Sequence, residues 1–153
     1  MTTIDVREAE AGPALDAACA EAMGWEFTNN DLAIGAFAAG SLDGGVWFYT
    51  DAGNVAVASR EWNDYWWPSK NITAAWVLQQ HVDPARFCNA LVEVVMWDRG
   101  LPDDFNVCEP GTDWVLVDED VWALVTATAH QRARAFLLAN DVKTLEVKGE
   151  DHG

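Results

Sequence analysis

An α+β fold in one domain, an antiparallel sheet packed by three main helices in an α/β/α sandwich-like arrangement, is what the sequence predicts. Three observations predict it. Helix-period apolar stripes recur near the start, the middle and the end of the chain. Runs rich in β-branched and aromatic residues lie between them, bounded by turn residues. No stretch reads as a linker or an internal repeat. A chain of 153 residues has the length of one domain. At that size it buries roughly 70% of its unfolded surface and needs no disulfide or metal staple. Residues 1–153 are therefore expected to form a single unit.

The first helix is predicted over 12–23. Leu15, Ala18, Cys19, Ala22 and Met23 form one apolar stripe, Pro13 suits the first turn, and Gly24 is a natural stop before Trp25. After a glycine-rich lead-in over 40–45, residues 46–50 and 55–59 flank Asp51-Ala-Gly-Asn54 and predict a β-hairpin. The lead-in lacks the spacing and the lysine of a phosphate-binding loop. A second helix is expected over 70–82, opened by Pro68 with Ser69 or Asn71 and closed before Asp83-Pro84. Its buried face is expected to include Ile72, Ala75 and Trp76. Residues 87–97 match a helical period, yet their valine content favours a buried strand, which is the assignment taken. Residues 114–117 and 121–125 around Asp118-Glu119-Asp120 predict a second hairpin. The last helix is expected over 127–140, and the tail 141–153 is expected to be loosely ordered.

Three of these segments, taken in order, resemble a known family. Ala11-Gly-Pro-Ala-Leu-Asp-Ala17 with Met23-Gly-Trp25 is similar to an "AG-x-x-LDA…MGW" opening. Pro68-Ser-Lys-Asn-Ile-Thr-Ala-Ala-Trp76 resembles that family's second helix, and Ala127 to Ala139 its final helix. Together they resemble the phage ABA sandwich domain, found in small bacteriophage and prophage proteins. The connections over 40–60 and 98–113 are longer than that pattern. The resemblance implies helices on both faces of a sheet and a place in the cytoplasm of a bacterial host. It implies no catalytic residues.

Charge dominates the composition. Nine basic residues stand against 25 acidic ones, for a formal charge of −16, and only three of the bases are lysine. Direct binding to nucleic acid or to an anionic membrane surface is excluded by that balance. Nine tryptophans and an apolar half exclude wholesale disorder. No apolar run has the length of a membrane span, and MTTIDVREAE carries acids where a secretory leader carries bases. Cys19, Cys88 and Cys108 form no close pair, which points to a reducing compartment. No zinc-ligand spacing is present, so no metal or cofactor is expected. The sequon at Asn71-Ile72-Thr73 is better read as a helix start than as a glycan acceptor.

Three constellations could carry function. Between Asp98 and Asp120 lie eight acids and a single base, Arg99. Like charges at that density cost stability, and a basic target explains them. The expected contacts are Asp103, Asp104, Glu109, Asp113, Asp118, Glu119 and Asp120, imitating the phosphate array of DNA toward a basic host nuclease or defence complex. A merely solvated acidic surface on a structural phage protein is the plain alternative. Second, Trp62, Tyr65 and Trp66 precede the second helix and could stack a nucleotide-like ligand. If such aromatics are exposed, a homodimer is the other use for them. Third, His81 near Asp83 and His130 near Arg134 are candidate acid–base pairs. No nucleophile motif accompanies them, and the expectation is a protein that is not an enzyme.

Overall fold

The computed structural model describes residues 2–29, 45–100 and 118–147, with the backbone alone at 118–120 and 147. The chain is α+β, with helices packed on sheet. Helix α1 (Pro13–Ala22) buries Leu15, Ala17, Cys19 and Ala20. At its end the Gly24 N–H donates to Glu21 and the Trp25 N–H to Ala20, a paired closure that needs Gly24 at φ +82°. The turn lays the Trp25 ring edge-on against Trp66 at 4.7 Å. Strand β2 (Glu26–Phe27) follows at once and pairs in parallel with β3 (Val46–Tyr49). Gly45, just before β3, passes so close to the Trp25 indole that a Cβ there would overlap the ring.

The expected hairpin is present as β3 and β4 (Val55–Ala58), antiparallel, with Gly53 at φ +84° in the turn. A further strand, β5 (Asn63–Tyr65), extends the sheet on β4, so its order is β2-β3-β4-β5 and its pairing is mixed rather than wholly antiparallel. All four residues of β4 are buried, so the centre of the sheet is covered on both faces.

Helix α2 (Ile72–Gln79) is capped by Asn71, whose side chain accepts from the Thr73 and Ala74 N–H groups at 2.9 and 3.2 Å. Its inward face is Ala74, Ala75 and Leu78. Trp76, expected to face inward, is 54% exposed because it lies a third of a turn away from Ala75.

Residues 87–97 are not a strand. They belong to α3 (Pro84–Asp98), started by Asp83, which accepts from the Arg86 N–H, and by Pro84 in the first turn. Phe87, Ala90, Leu91, Val94 and Val95 are buried at helical spacing, so the period of the apolar residues overrides the β preference of valine. The second predicted hairpin is also replaced. Asp118–Val125 form helix α4, and residues 114–117 lie outside the described chain. Asp118, Glu119 and Asp120 occupy its first turn, where carboxylates are favoured by the helix dipole, rather than a hairpin turn.

Helix α5 (Ala129–Ala139) opens with a reciprocal cap. Thr128 accepts from the Gln131 N–H, and the Gln131 side chain accepts from the Thr128 N–H. Within the expected tail, Thr144–Val147 form β6, antiparallel to β1 (Thr2–Asp5), and residues 148–153 lie outside the described chain. The backbone between them bonds Val6 N–H to the Lys143 carbonyl. Helix α5 packs against α1, α2 and α3, and α1 touches both β4 and β6. The core runs through Leu15, Cys19, Trp66, Leu78, Val94, Phe136 and Leu137. Helix α1 thus carries a four-stranded sheet and a two-stranded one.

Candidate functional site

Of the expected contact acids, Asp103, Asp104, Glu109 and Asp113 lie outside the described residues, and Asp118, Glu119 and Asp120 open α4. Behind them on α4, Val121, Trp122 and Val125 are exposed, Trp122 at 69%. Ala123 and Leu124 turn toward the core instead. Helix α4 therefore presents an apolar face beside an acidic end.

The aromatic trio before α2 divides. Trp66 is fully buried, edge-on to both Trp25 at 4.7 Å and Trp62 at 5.6 Å, and has no face left for a ligand. Trp62 is half-buried and donates its indole N–H to the Tyr65 carbonyl at 2.8 Å. Tyr65 turns outward and stacks on Trp67 with centroids 5.3 Å apart. Sequence spacing brought the three together, but Trp62 packs on the buried Trp66 while Tyr65 turns the other way.

The two described histidines, His81 and His130, each have a hydrogen-bond partner other than the one the sequence suggested. His81 meets Glu61, at 2.7 and 2.8 Å from its two carboxylate oxygens, and not Asp83, which caps α3. His130 donates its Nε2–H to the Ala9 carbonyl at 2.6 Å. Burial, ahead of the adjacent Arg134, holds its pKa below the ordinary imidazole value. Arg134 is buried and bonds the Arg7 carbonyl at 2.7 Å and Asp98 at 2.9 Å, which joins α5 to the end of α3 and to the turn after β1. Among the described residues no group of three or more His, Cys, Asp or Glu side chains is placed to hold a metal ion. No helix there is long and apolar enough to cross a membrane.

Among the described residues Asp16 is the buried acid. Its carboxylate accepts from the Ser69 N–H at 2.8 Å, while Ser69 Oγ accepts from the Gly12 N–H at 3.1 Å. The segments that carry the family resemblance are thus bonded to one another, Gly12 and Asp16 to Ser69. Cys19 likewise donates Sγ–H to the Ala133 carbonyl at 3.8 Å. Those motif residues hold the fold. Burial outweighs the Ser69 hydrogen bonds and the nearby Lys70, and raises the Asp16 pKa to about 6. A raised acid pKa stabilises the fold fully below the unfolded value of 3.8, and the contribution is lost as pH rises through about 6. Asp16→Asn keeps the acceptor and abolishes the titration. Its unfolding free energy is expected to exceed that of the native chain by roughly 2 kcal/mol at pH 7, with the gap closing at pH 4. Denaturant melts at the two pH values measure it, and an unchanged gap would assign the pH dependence to another group.

One cleft bounded by described residues went unseen in the sequence. It is a groove of about 860 Å³ between α1, the end of the four-stranded sheet and β6. Its floor is a second stripe of α1, namely Ala14, Ala18 and Ala22. Phe27, Trp47 and Tyr49 form one wall, packed edge to face with Phe27–Trp47 centroids at 4.7 Å and Trp47–Tyr49 at 5.6 Å. Thr144, Leu145 and Glu146 form the other wall. Glu21 and Glu146 are exposed at this site. Burial, then the charge of Glu21, raises the Tyr49 phenol pKa. The size suits a ligand or a few side chains. Phosphate-bearing ligands are opposed by both glutamates. No sequence pattern marks the groove, because its walls come from three separate parts of the chain.

The chain matches no family model, no curated protein and no solved structure in the comparisons made.

Proposed function

We propose that this protein is a non-enzymatic bacteriophage accessory protein, of the phage ABA sandwich kind. Its role is to inhibit a host defence nuclease or DNA-binding complex by offering carboxylates to that partner's cationic surface. The observation that supports this reading is the excess of acids, a net charge of −16, with exposed carboxylates on several elements of the described surface. Arg134 is buried against Asp98. Arg132 is committed to the Ala127 carbonyl and to Gln79. Arg7 is held by Asp5 and Glu93 and lies 4.0 Å from the centre of the Trp97 ring. Meanwhile Glu8, Glu10, Glu21, Glu26, Asp51 and Glu146 are exposed. Arg60, Lys70, Arg86, Arg99 and Lys143 are exposed as well, so the described surface carries both signs and its excess of acids is that of the net charge of −16. Such a field repels nucleic acid and speeds encounter with a basic protein. Helix α4, with acids at its start and Trp122 beside them, has the composition of an interface anchor.

The test is capture of a basic nuclease or DNA-binding protein from bacterial lysate, followed by competition with duplex DNA. Binding should weaken steeply as salt rises, and added protein should displace DNA from the partner. Trp122→Ala is expected to leave the melting temperature unchanged and to weaken capture by at least about tenfold. Lysine at Asp113, Asp118, Glu119 and Asp120 should abolish it. Salt-independent capture, or none at low salt, would reduce the acidity to surface hydration.

A further inference from the structure

The groove beside α1 has the form of a strand-docking site. Side chains alternate between the faces of a strand, so a cavity touching three consecutive residues, Thr144, Leu145 and Glu146, runs along the strand's edge rather than over one face. Strand β1 occupies the opposite edge of β6 and contributes nothing to the groove. Among the described residues β6 pairs with no other strand. An unpaired strand edge of this kind, taken among the described residues, is the usual basis of β-augmentation. Facing that edge are the aromatic wall and the alanine floor, which suit one or two apolar side chains. Glu21 and Glu146 flank it, neither of them in a salt bridge within the described structure.

We infer that the groove binds an extended segment of a basic partner protein, which adds a strand to the edge of β6 opposite β1. It places an apolar side chain against Phe27, Trp47 and Tyr49, and lysine or arginine side chains against Glu21 and Glu146. This rests on the reading of the protein as a binder of basic proteins, and names where such a partner is anchored. A second copy of this chain is disfavoured as occupant, since each copy carries a charge of −16. A free organic cation would satisfy the glutamates but leave the strand edge unused.

The probe is acetyl-Lys-Phe-Lys-Val-Lys-amide, titrated into the full chain and followed by tryptophan fluorescence and by the amide NMR signals of 144–146. Saturable binding that shifts those amides is expected. The Glu21→Lys, Glu146→Lys double variant should bind about tenfold more weakly, because each reversal removes an attraction and adds a repulsion. Both positions are exposed, and an unchanged melting temperature verifies that this variant folds. The same peptide N-methylated at alternate amides keeps its charge and loses strand pairing, and it should not bind. Equal binding of the methylated peptide, or of phenylalaninamide alone, would overturn strand addition. So would binding indifferent to the double variant, or none at all. If lysate capture persists while the peptide fails, the groove assignment falls and the proposed function stands. If no basic protein is captured at low salt, the proposed function falls instead.

Discussion

Trp66→Ala is expected to destabilise the protein by about 4 kcal/mol, with the melting temperature falling by roughly 10 °C. The indole is fully buried and is the bulkiest side chain buried to that degree among the described residues. It sits where Trp25, returning from α1, meets Trp62 from the loop before β5, both edge-on. Deleting it removes those contacts and leaves a void between α1 and the sheet that the surrounding backbone is too constrained to fill. Gly45 already lies against the Trp25 ring, which leaves that ring little room to shift. Trp66→Phe should cost much less, since the Trp66 indole N–H is buried without a hydrogen-bond partner and its removal relieves that penalty. Tyr65→Ala, at the adjacent exposed position, should cost under about 1 kcal/mol. Equal losses at Trp66 and Tyr65 in thermal melts would contradict the division of this cluster into core and surface.

Asp98→Ala is expected to cost about 3 kcal/mol, because it strands the Arg134 guanidinium, which is 2% exposed. Asp98 itself is only partly buried and also accepts from Gln131 at 3.1 Å, so part of the charge is shared with solvent and with that amide. Burial by itself would raise the Asp98 pKa. Hydrogen bonds from Arg134 and Gln131 overcome that and hold it below the ordinary carboxylate value. With the folded pKa depressed, this contribution is present above the unfolded value of 3.8 and is lost as pH falls through the lower folded value. Asp16 acts in the opposite sense and weakens the fold as pH rises through about 6. Maximum stability is therefore expected at about pH 4, with a decline between there and about pH 6 as the Asp16 contribution is lost. Denaturant midpoints across pH 2–8 should show the acid limb vanish in Asp98→Ala and the upper limb vanish in Asp16→Asn. A profile unchanged by either substitution would show that neither group governs it.

Helices α1, α2 and α5 and the β3–β4 hairpin were legible because their signals are local. Pro13 with Gly24, Asn71, Thr128 with Gln131, and Gly53 in a turn each act within a few residues. Helix α3 was misread because valine prefers strands while its spacing is helical, and burial against α5 favours the spacing. Helix α4 was misread because three acids resemble a turn, although they equally suit a helix start. The candidate groove was not legible at all. Its alanine stripe shares a helix with the core stripe, and its two strand walls are about a hundred residues apart in the chain.

By itself, the sequence determined the α+β class, three of the helices, one hairpin and the strongly acidic character, all of which depend on composition or on neighbours within a few turns. Tertiary structure alone decided that Trp66 is core while Trp76 is surface, that Arg134 is buried against Asp98, and that β6 closes on β1. The physical reason is that burial and strand pairing depend on which distant segments meet. That meeting is set by the packing of α1 and α5 against the rest of the chain rather than by any local pattern.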